Sequence, residues 1–98
     1  MAQATLADAW NSYQRGDLRQ AEIVCRQVLA QDERRADGWA LLAQLAEHAN
    51  HLSDALEFAE RAVRLDANSI QSWNVLGDIR QSRKEYRLAM QAYDETLS

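Results

Sequence analysis

The chain has 98 residues, which suits a single domain and is too short for a catalytic domain with a separate binding domain. It is 47% hydrophobic and 27% charged, contains no proline and is rich in helix formers, so we predict an all-α protein. The formal net charge of −4 offers no basic field to attract a phosphate backbone or an anionic lipid surface. We therefore expect no nucleic-acid or membrane partner.

The first third of the chain predicts two helices separated by a tight turn. Gly16 is placed to end the first helix, and Asp17 is placed to cap the second. The start, MAQATLADAW, lacks a basic segment followed by an apolar one, and no stretch approaches the roughly 18 apolar residues of a membrane span. The single Cys25 suits a reducing compartment. These features predict a cytoplasmic protein.

Four more helices are predicted in the rest of the chain. Apolar residues recur at helical spacing in ADGWALLAQLAEHA, at positions 39, 42, 45, 46 and 49, and in SDALEFAERAVRL, at positions 55, 56, 59, 62, 63 and 65. Ser53 is the expected cap of the fourth helix, and Asn68 or Ser69 that of the fifth. The sixth helix is expected over 86–97.

An internal period of 34 residues relates these helices. It aligns Trp39 with Trp73, Leu42 with Leu76, Leu52 with Tyr86 and Ala55 with Ala89. The single domain thus divides into three units of two helices, at about 2–35, 36–69 and 70–98. Small residues on the first helices, Ala43 and Gly77, are expected to face Ala55 and Ala89, where the two helices of a unit approach closely.

The period and its motif, Trp-x2-Leu-[Gly/Ala] followed by Ala-x3-[aromatic or small], resemble the tetratricopeptide repeat. The matching residues are Trp73, Leu76, Gly77, Ala89 and Tyr93 in the third unit; Trp39, Leu42, Ala43, Ala55, Ala59 and Ala62 in the second; and Ala9, Gly16, Ala21, Cys25 and Val28 in the first. The resemblance implies a right-handed superhelical solenoid that binds other proteins and is not an enzyme. Thr5 replaces the tryptophan of the first unit, Arg80 stands where an aromatic is common, and Glu33 and Ala67 replace a proline, so less rigid turns are expected there.

The resemblance also implies that the first helix of each unit lines a concave groove. Its inner face would carry the partner-binding residues Leu6, Trp10, Tyr13, Gln44, Glu47, His48, Asn74, Asp78 and Gln81, together with Gln3, Gln14, Ala40 and Gln71. A subgroup of the family clamps a chaperone's C-terminal carboxylate with Lys, Asn and Arg. Here those positions hold Leu6, Trp10, Leu41, Gln71 and Val75, which argues against a chaperone partner.

Several conspicuous residues have a structural interpretation as well. Trp10 is equally suited to the groove and to the N-terminal core. Cys25 falls on a buried small-residue position, which predicts an inert core thiol. His48 and His51 lack a third ligand, and arginine runs such as that at Arg34 are usually solvated. We predict no catalytic residue, no metal site and no cofactor.

The sixth helix leaves Met90, Tyr93 and Leu97 facing solvent, or at least poorly covered, in this interpretation. One explanation is an N-terminal piece of a longer protein, because A-x3-Y-x2-G-D-L-x2-A-E resembles the start of larger bacterial proteins, some of which carry a glycosyltransferase or sulfotransferase domain. The other is a homodimer through these three residues. The leading hypothesis for function is a protein-interaction module that holds a peptide in its groove. The alternatives are a substrate-recruiting region of an enzyme and a self-assembly scaffold.

Overall fold

A computed structural model describes residues 4–97, which fold into six α-helices and no strand. The helices are α1 (Leu6–Gln14), α2 (Leu18–Gln31), α3 (Ala36–His48), α4 (Leu52–Leu65), α5 (Ile70–Ser82) and α6 (Tyr86–Glu95). They pack as three pairs, α1 with α2, α3 with α4 and α5 with α6, and each pair also packs against the next. The result is an elongated stack of 46 × 25 × 19 Å, as predicted for a helical repeat protein.

Each pair of helices turns at a residue in the left-handed conformation, and these residues are 34 positions apart. They are Gly16, Asn50 and Lys84, with φ of 82°, 61° and 65°. In every turn the left-handed residue and the one after it donate backbone N–H groups to carbonyls of the preceding helix, a Schellman motif. The predicted end of α1 at Gly16 is confirmed.

Two of the predicted helix caps are confirmed and one is wrong. The Asp17 side chain accepts a hydrogen bond from the backbone N–H of Gln20, and Ser69 accepts one from Ser72. Ser53 does not cap α4, which already begins at Leu52. The left-handed turn at Asn50 fixes the next residue, so the helix starts earlier than the preference for a serine cap predicts.

The loops between repeats are tied to the following helix by tryptophan. The indole N–H of Trp39 donates to the carbonyl oxygen of Glu33 at 2.8 Å, and Trp73 repeats this contact with Ala67 at 2.7 Å. Glu33 and Ala67, whose carbonyl oxygens accept these hydrogen bonds, are the two residues that stand where the tetratricopeptide repeat usually has a proline. An indole hydrogen bond therefore constrains each loop where the family uses a proline ring.

The core lies between the helix layers and is rich in alanine. Cys25 is fully buried and its thiol donates to the carbonyl oxygen of Gly38 at 3.1 Å. Burial is the main cause that raises the pKa of this thiol to about 11, so it stays protonated at neutral pH. The prediction of an inert core thiol is confirmed.

Gly77 makes room for an aromatic ring on α6. A Cβ atom built on Gly77 would lie 2.5–2.8 Å from three atoms of the Tyr93 ring, which is closer than atoms can pack. Tyr93 is therefore half-buried against α5, so it is better covered than the other two residues of the predicted exposed set. Met90 and Leu97 do face solvent, with exposed fractions of 65% and 85%.

Candidate functional site

The first helices of the three repeats share one continuous face, which we term the inner face. Tyr13 Oη on α1 lies 2.8 Å from His48 Nε2 on α3, and the Ser82 hydroxyl on α5 donates to Glu47 Oε2 on α3 at 2.8 Å. Both pairs are separated by 35 residues, one repeat plus one position. The pairs therefore link α1 to α3 and α3 to α5 along the same side of the stack.

The N-terminal end of the inner face is aromatic. Trp10 and Tyr13 pack edge to face with ring centroids 5.6 Å apart, and Tyr13 meets the His48 ring at 5.5 Å. Burial, with a smaller contribution from the charge of Glu47, raises the pKa of Tyr13. Trp10 is half-buried on the N-terminal core and also contacts Tyr13, so it packs in the core as one of its two predicted roles requires, and its part in the groove stays a prediction.

The C-terminal end of the inner face is polar and exposed. Asp78 Oδ1 accepts a hydrogen bond from the Tyr93 hydroxyl at 2.5 Å, and Gln81 Oε1 lies 3.1 Å from Tyr93 Oη. Desolvation of the Tyr93 ring, followed by this hydrogen bond, raises the pKa of Tyr93 to about 12. Asn74 is exposed and its side chain makes no hydrogen bond within residues 4–97. The amide of Asn74 is thus free to bind a partner.

The middle of the inner face carries Gln44 and Glu47 on α3, both half-buried. The side-chain oxygen of Gln44 is enclosed and has no hydrogen-bond partner among the described residues. An enclosed carbonyl oxygen without a donor costs about 1–3 kcal/mol, and in this conformation the Gln44 oxygen is out of reach of a bound chain.

Several predicted groove positions do not lie on the exposed inner face. Leu6 is 7% exposed and packs in the N-terminal core, and Ala40 is fully buried. Gln14 and Gln71 are exposed, whereas Gln3 lies outside the described residues. Leu6 therefore belongs to the N-terminal core, and its contact with a partner stays a prediction.

The positions used to test for a chaperone clamp also need correction. Leu41 and Val75 are 0% and 2% exposed, so they are core residues that cannot line a groove. No lysine or arginine occurs among the predicted groove residues that are at least partly exposed, which are Trp10, Tyr13, Gln14, Gln44, Glu47, His48, Gln71, Asn74, Asp78 and Gln81. A surface with Glu47 and Asp78 as its charges is unsuited to hold a carboxylate by ion pairing.

The described residues contain no group of three or more His, Cys, Asp and Glu side chains placed to hold a metal ion. Across the same residues, no helix is long and apolar enough to cross a membrane.

The family comparison agrees with the repeat geometry. The family model for the tetratricopeptide repeat matches residues 12–79, more than half of the chain. The chain belongs to the tetratricopeptide repeat (TPR) family. No curated protein matches the sequence.

Solved TPR structures share the fold at low identity. A crystal structure of MamA is 20% identical with a TM-score of 0.84, over 94% of this chain and 54% of MamA. The second TPR domain of Spaghetti (RPAP3), bound to the HSP90 peptide SRMEEVD, is 18% identical with a TM-score of 0.83, over 91% of this chain and 82% of that one. The TPR2B domain of yeast Sti1, in a pHsp70 complex, is 16% identical with a TM-score of 0.84, over 90% of this chain and 70% of that one. The chain spans about half of the length of the MamA chains that it matches.

Proposed function

We propose that this TPR domain is a non-enzymatic module that holds a segment of another protein on its inner face. The observation that carries the proposal is the continuous run of inner-face side chains across α1, α3 and α5, linked by the Tyr13–His48 and Glu47–Ser82 contacts. A surface shared by all three repeats suits an extended or helical segment rather than a small molecule.

The two ends of the inner face would contact different parts of the bound segment. An apolar side chain of the partner would rest on Trp10 and Tyr13, whose rings already pack edge to face. Backbone and polar groups would bond to Asn74, whose exposed side chain has no partner in the described structure, and to the half-buried Gln44 on the same inner face. The structurally similar Spaghetti and Sti1 domains are solved with peptides or chaperone partners, which supports this mode of binding.

The chemistry of the inner face favours a different ligand from those chaperone peptides. Its charged residues are Glu47 and Asp78, which would repel an acidic tail. We expect a partner segment that is neutral or basic and carries one aromatic or large aliphatic anchor. The use of the same face to recruit a substrate for a larger enzyme, and a cytoplasmic location, remain predictions.

Binding of a selected peptide tests this proposal. A peptide of about 12 residues is selected from a random display library on the wild-type domain, and its affinity is compared between variants. Asn74→Ala breaks no internal hydrogen bond and should weaken binding about fivefold, the equivalent of one hydrogen bond of about 1 kcal/mol. Gln27→Ala, an exposed change on α2, is the matched control. Equal affinity of the two variants would place the peptide elsewhere.

A second proposal, self-association through α6 and the turn that follows it, is favoured by the exposure of Met90 on the helix and Leu97 in the turn. Leu97 occupies the repeat position of Leu29, which is 6% exposed and lies over Gly38 of the next repeat. Covering these side chains would bury apolar surface in the way that Leu29 is covered. Tyr93 takes no part, since its ring packs on Gly77.

Sedimentation equilibrium tests this self-association. Wild-type protein should form a dimer as its concentration rises, and Met90→Gln with Leu97→Gln should remain monomeric. Gln91→Ala, an exposed polar change on the same helix, is the control and should dimerise normally. A monomeric wild-type protein at the highest concentrations would contradict the proposal.

A further inference from the structure

A second concavity lies outside the inner face, where the loop after α2 meets the last turn of α4. We term it the Trp39 pocket. It has a volume of about 370 Å³ and is lined by Glu33, Arg34, Trp39, Arg61, Arg64 and Leu65. Trp39 and Leu65 give it an apolar wall, and three arginines surround that wall, Arg34 from the loop after α2 and Arg61 and Arg64 from α4. The sequence does not show this cluster, because Arg34 is far along the chain from Arg61 and Arg64.

The arginines of the Trp39 pocket are poorly neutralised. The Arg61 guanidinium lies 4.5 Å from the centroid of the Trp39 ring, a cation–π contact, and has no ion-pair partner within residues 4–97. Arg34 has none there either. Arg64 reaches Glu60 only at 4.0 Å and is 65% exposed. Guanidinium groups stay charged at all physiological pH values, so the pocket holds an excess of positive charge.

Weak neutralisation is a feature of the arginines in the Trp39 pocket and not of every arginine nearby, because the neighbouring Arg35 is neutralised. Arg35 makes a two-pronged ion pair with Asp37, with N–O distances of 3.1 and 3.0 Å. The one acidic residue that lines the Trp39 pocket is Glu33. A cluster of weakly neutralised arginines on a chain of net charge −4 would attract an anionic group despite the overall negative charge.

The same concavity recurs one repeat later with different charges. It is lined by Ala67, Asn68, Ile70, Trp73, Glu95 and Thr96 and has a volume of about 280 Å³. With the 34-residue period, Trp73 corresponds to Trp39, Asn68 to Arg34 and Glu95 to Arg61. Both tryptophans donate to the equivalent loop carbonyl. The repeat fold therefore forms a pocket at this position without arginine. Of the two equivalent pockets, the Trp39 pocket is the one that carries basic side chains.

We propose that the Trp39 pocket binds an acidic peptide segment of a partner protein. Carboxylates of the segment pair with Arg34, Arg61 and Arg64, whose planar guanidinium groups match carboxylate geometry. A neighbouring apolar side chain packs on Trp39 and Leu65, and this apolar wall is what favours a peptide over a free inorganic anion. The Trp39 pocket is separate from the inner face, so an experiment that disproves peptide binding at one of the two sites leaves the other proposal unaffected.

Peptide binding by calorimetry tests the assignment. The probe is Glu-Glu-Leu-Glu-Glu with blocked termini, compared with Gln-Gln-Leu-Gln-Gln, with Glu-Glu-Ser-Glu-Glu and with inorganic phosphate. The acidic leucine peptide should bind about tenfold more tightly than the glutamine peptide and several-fold more tightly than the serine peptide. Its affinity should fall as salt rises from about 50 to about 300 mM, because exposed charges are screened. Equal binding of the glutamine peptide, or phosphate that binds as tightly as the peptide, would overturn the proposal.

Variants locate the binding in the Trp39 pocket. Arg34→Gln and Arg61→Gln should each weaken the acidic peptide about fivefold, whereas Arg87→Gln, an exposed arginine on α6, should leave it unchanged. Because these arginines are exposed, circular dichroism of each variant should match the wild type. The double change Asn68→Arg with Glu95→Arg should create a second site and raise the stoichiometry to about two. Unchanged affinity in the Arg34→Gln and Arg61→Gln variants would refute the assignment.

Discussion

Gly77→Ala tests the packing that joins α5 to α6. An alanine in a helix interior is favoured over glycine by about 1 kcal/mol, so propensity alone predicts a gain. The new Cβ would lie 2.5–2.8 Å from the Tyr93 ring, and overpacking of this kind costs about 1–3 kcal/mol. We expect a net loss of up to about 2 kcal/mol in the free energy of unfolding, because the Tyr93 hydroxyl bonds to Asp78 and Gln81 and the ring cannot move aside easily.

A double-mutant cycle separates the two contributions. In a Tyr93→Ala background the clash is absent, so Gly77→Ala should stabilise by about 1 kcal/mol and reverse its sign. For a domain of this size 1 kcal/mol corresponds to about 4–8 °C in Tm. Urea unfolding followed by circular dichroism measures all four proteins. Gly38→Ala is the control, since its Cβ would meet the movable end of Leu29 at 2.8 Å and should cost less. The same loss from Gly77→Ala in both backgrounds would refute the reasoning.

Three other predictions concern single residues. Lys84→Gly should raise the free energy of unfolding by about 0.5–1 kcal/mol in thermal unfolding, because glycine tolerates the φ of 65°; Lys84→Ala keeps a Cβ and should gain nothing. Ser72→Ala should stabilise by about 1 kcal/mol, since the buried Ser72 hydroxyl has no hydrogen-bond partner, and a loss in urea unfolding would contradict this. Between pH 10 and about 12 the folded state keeps the Tyr93 proton that the unfolded chain releases, so the free energy of unfolding falls as pH rises. The urea midpoint should fall less steeply with pH in Tyr93→Phe than in the wild type. Equal slopes would contradict the raised pKa of Tyr93.

The fold was predictable because one period repeats through the chain. Packing residues such as Trp39 and Trp73 recur at the interval of 34, and each unit alternates an amphipathic helix with a turn. The left-handed conformation of the turn residues was harder to predict from the sequence. Asn50 and Lys84 adopt the conformation of Gly16, yet lysine carries no preference for it, so the motif is visible only from the repeat register.

The candidate site was predictable in part. Helical spacing placed Asn74 and Asp78 on one side of α5, but it did not reveal that the Tyr93 ring lies over Gly77 and bonds to Asp78. The burial of Leu6 was missed because position on a helix does not say how closely the next helix covers its first turn. The Trp39 pocket depends on the approach of a loop to the end of α4, and such a contact has no signature in the local sequence.

The most direct test of the central claim is a map of amide chemical shifts during titration with the library-selected peptide. We predict that the largest changes fall on α1, α3 and α5, around Tyr13, His48 and Asn74, with small changes along the exposed sides of α2 and α4. Changes confined to α2, α4 or α6, with Asn74 unaffected, would contradict the proposal that the inner face binds the partner.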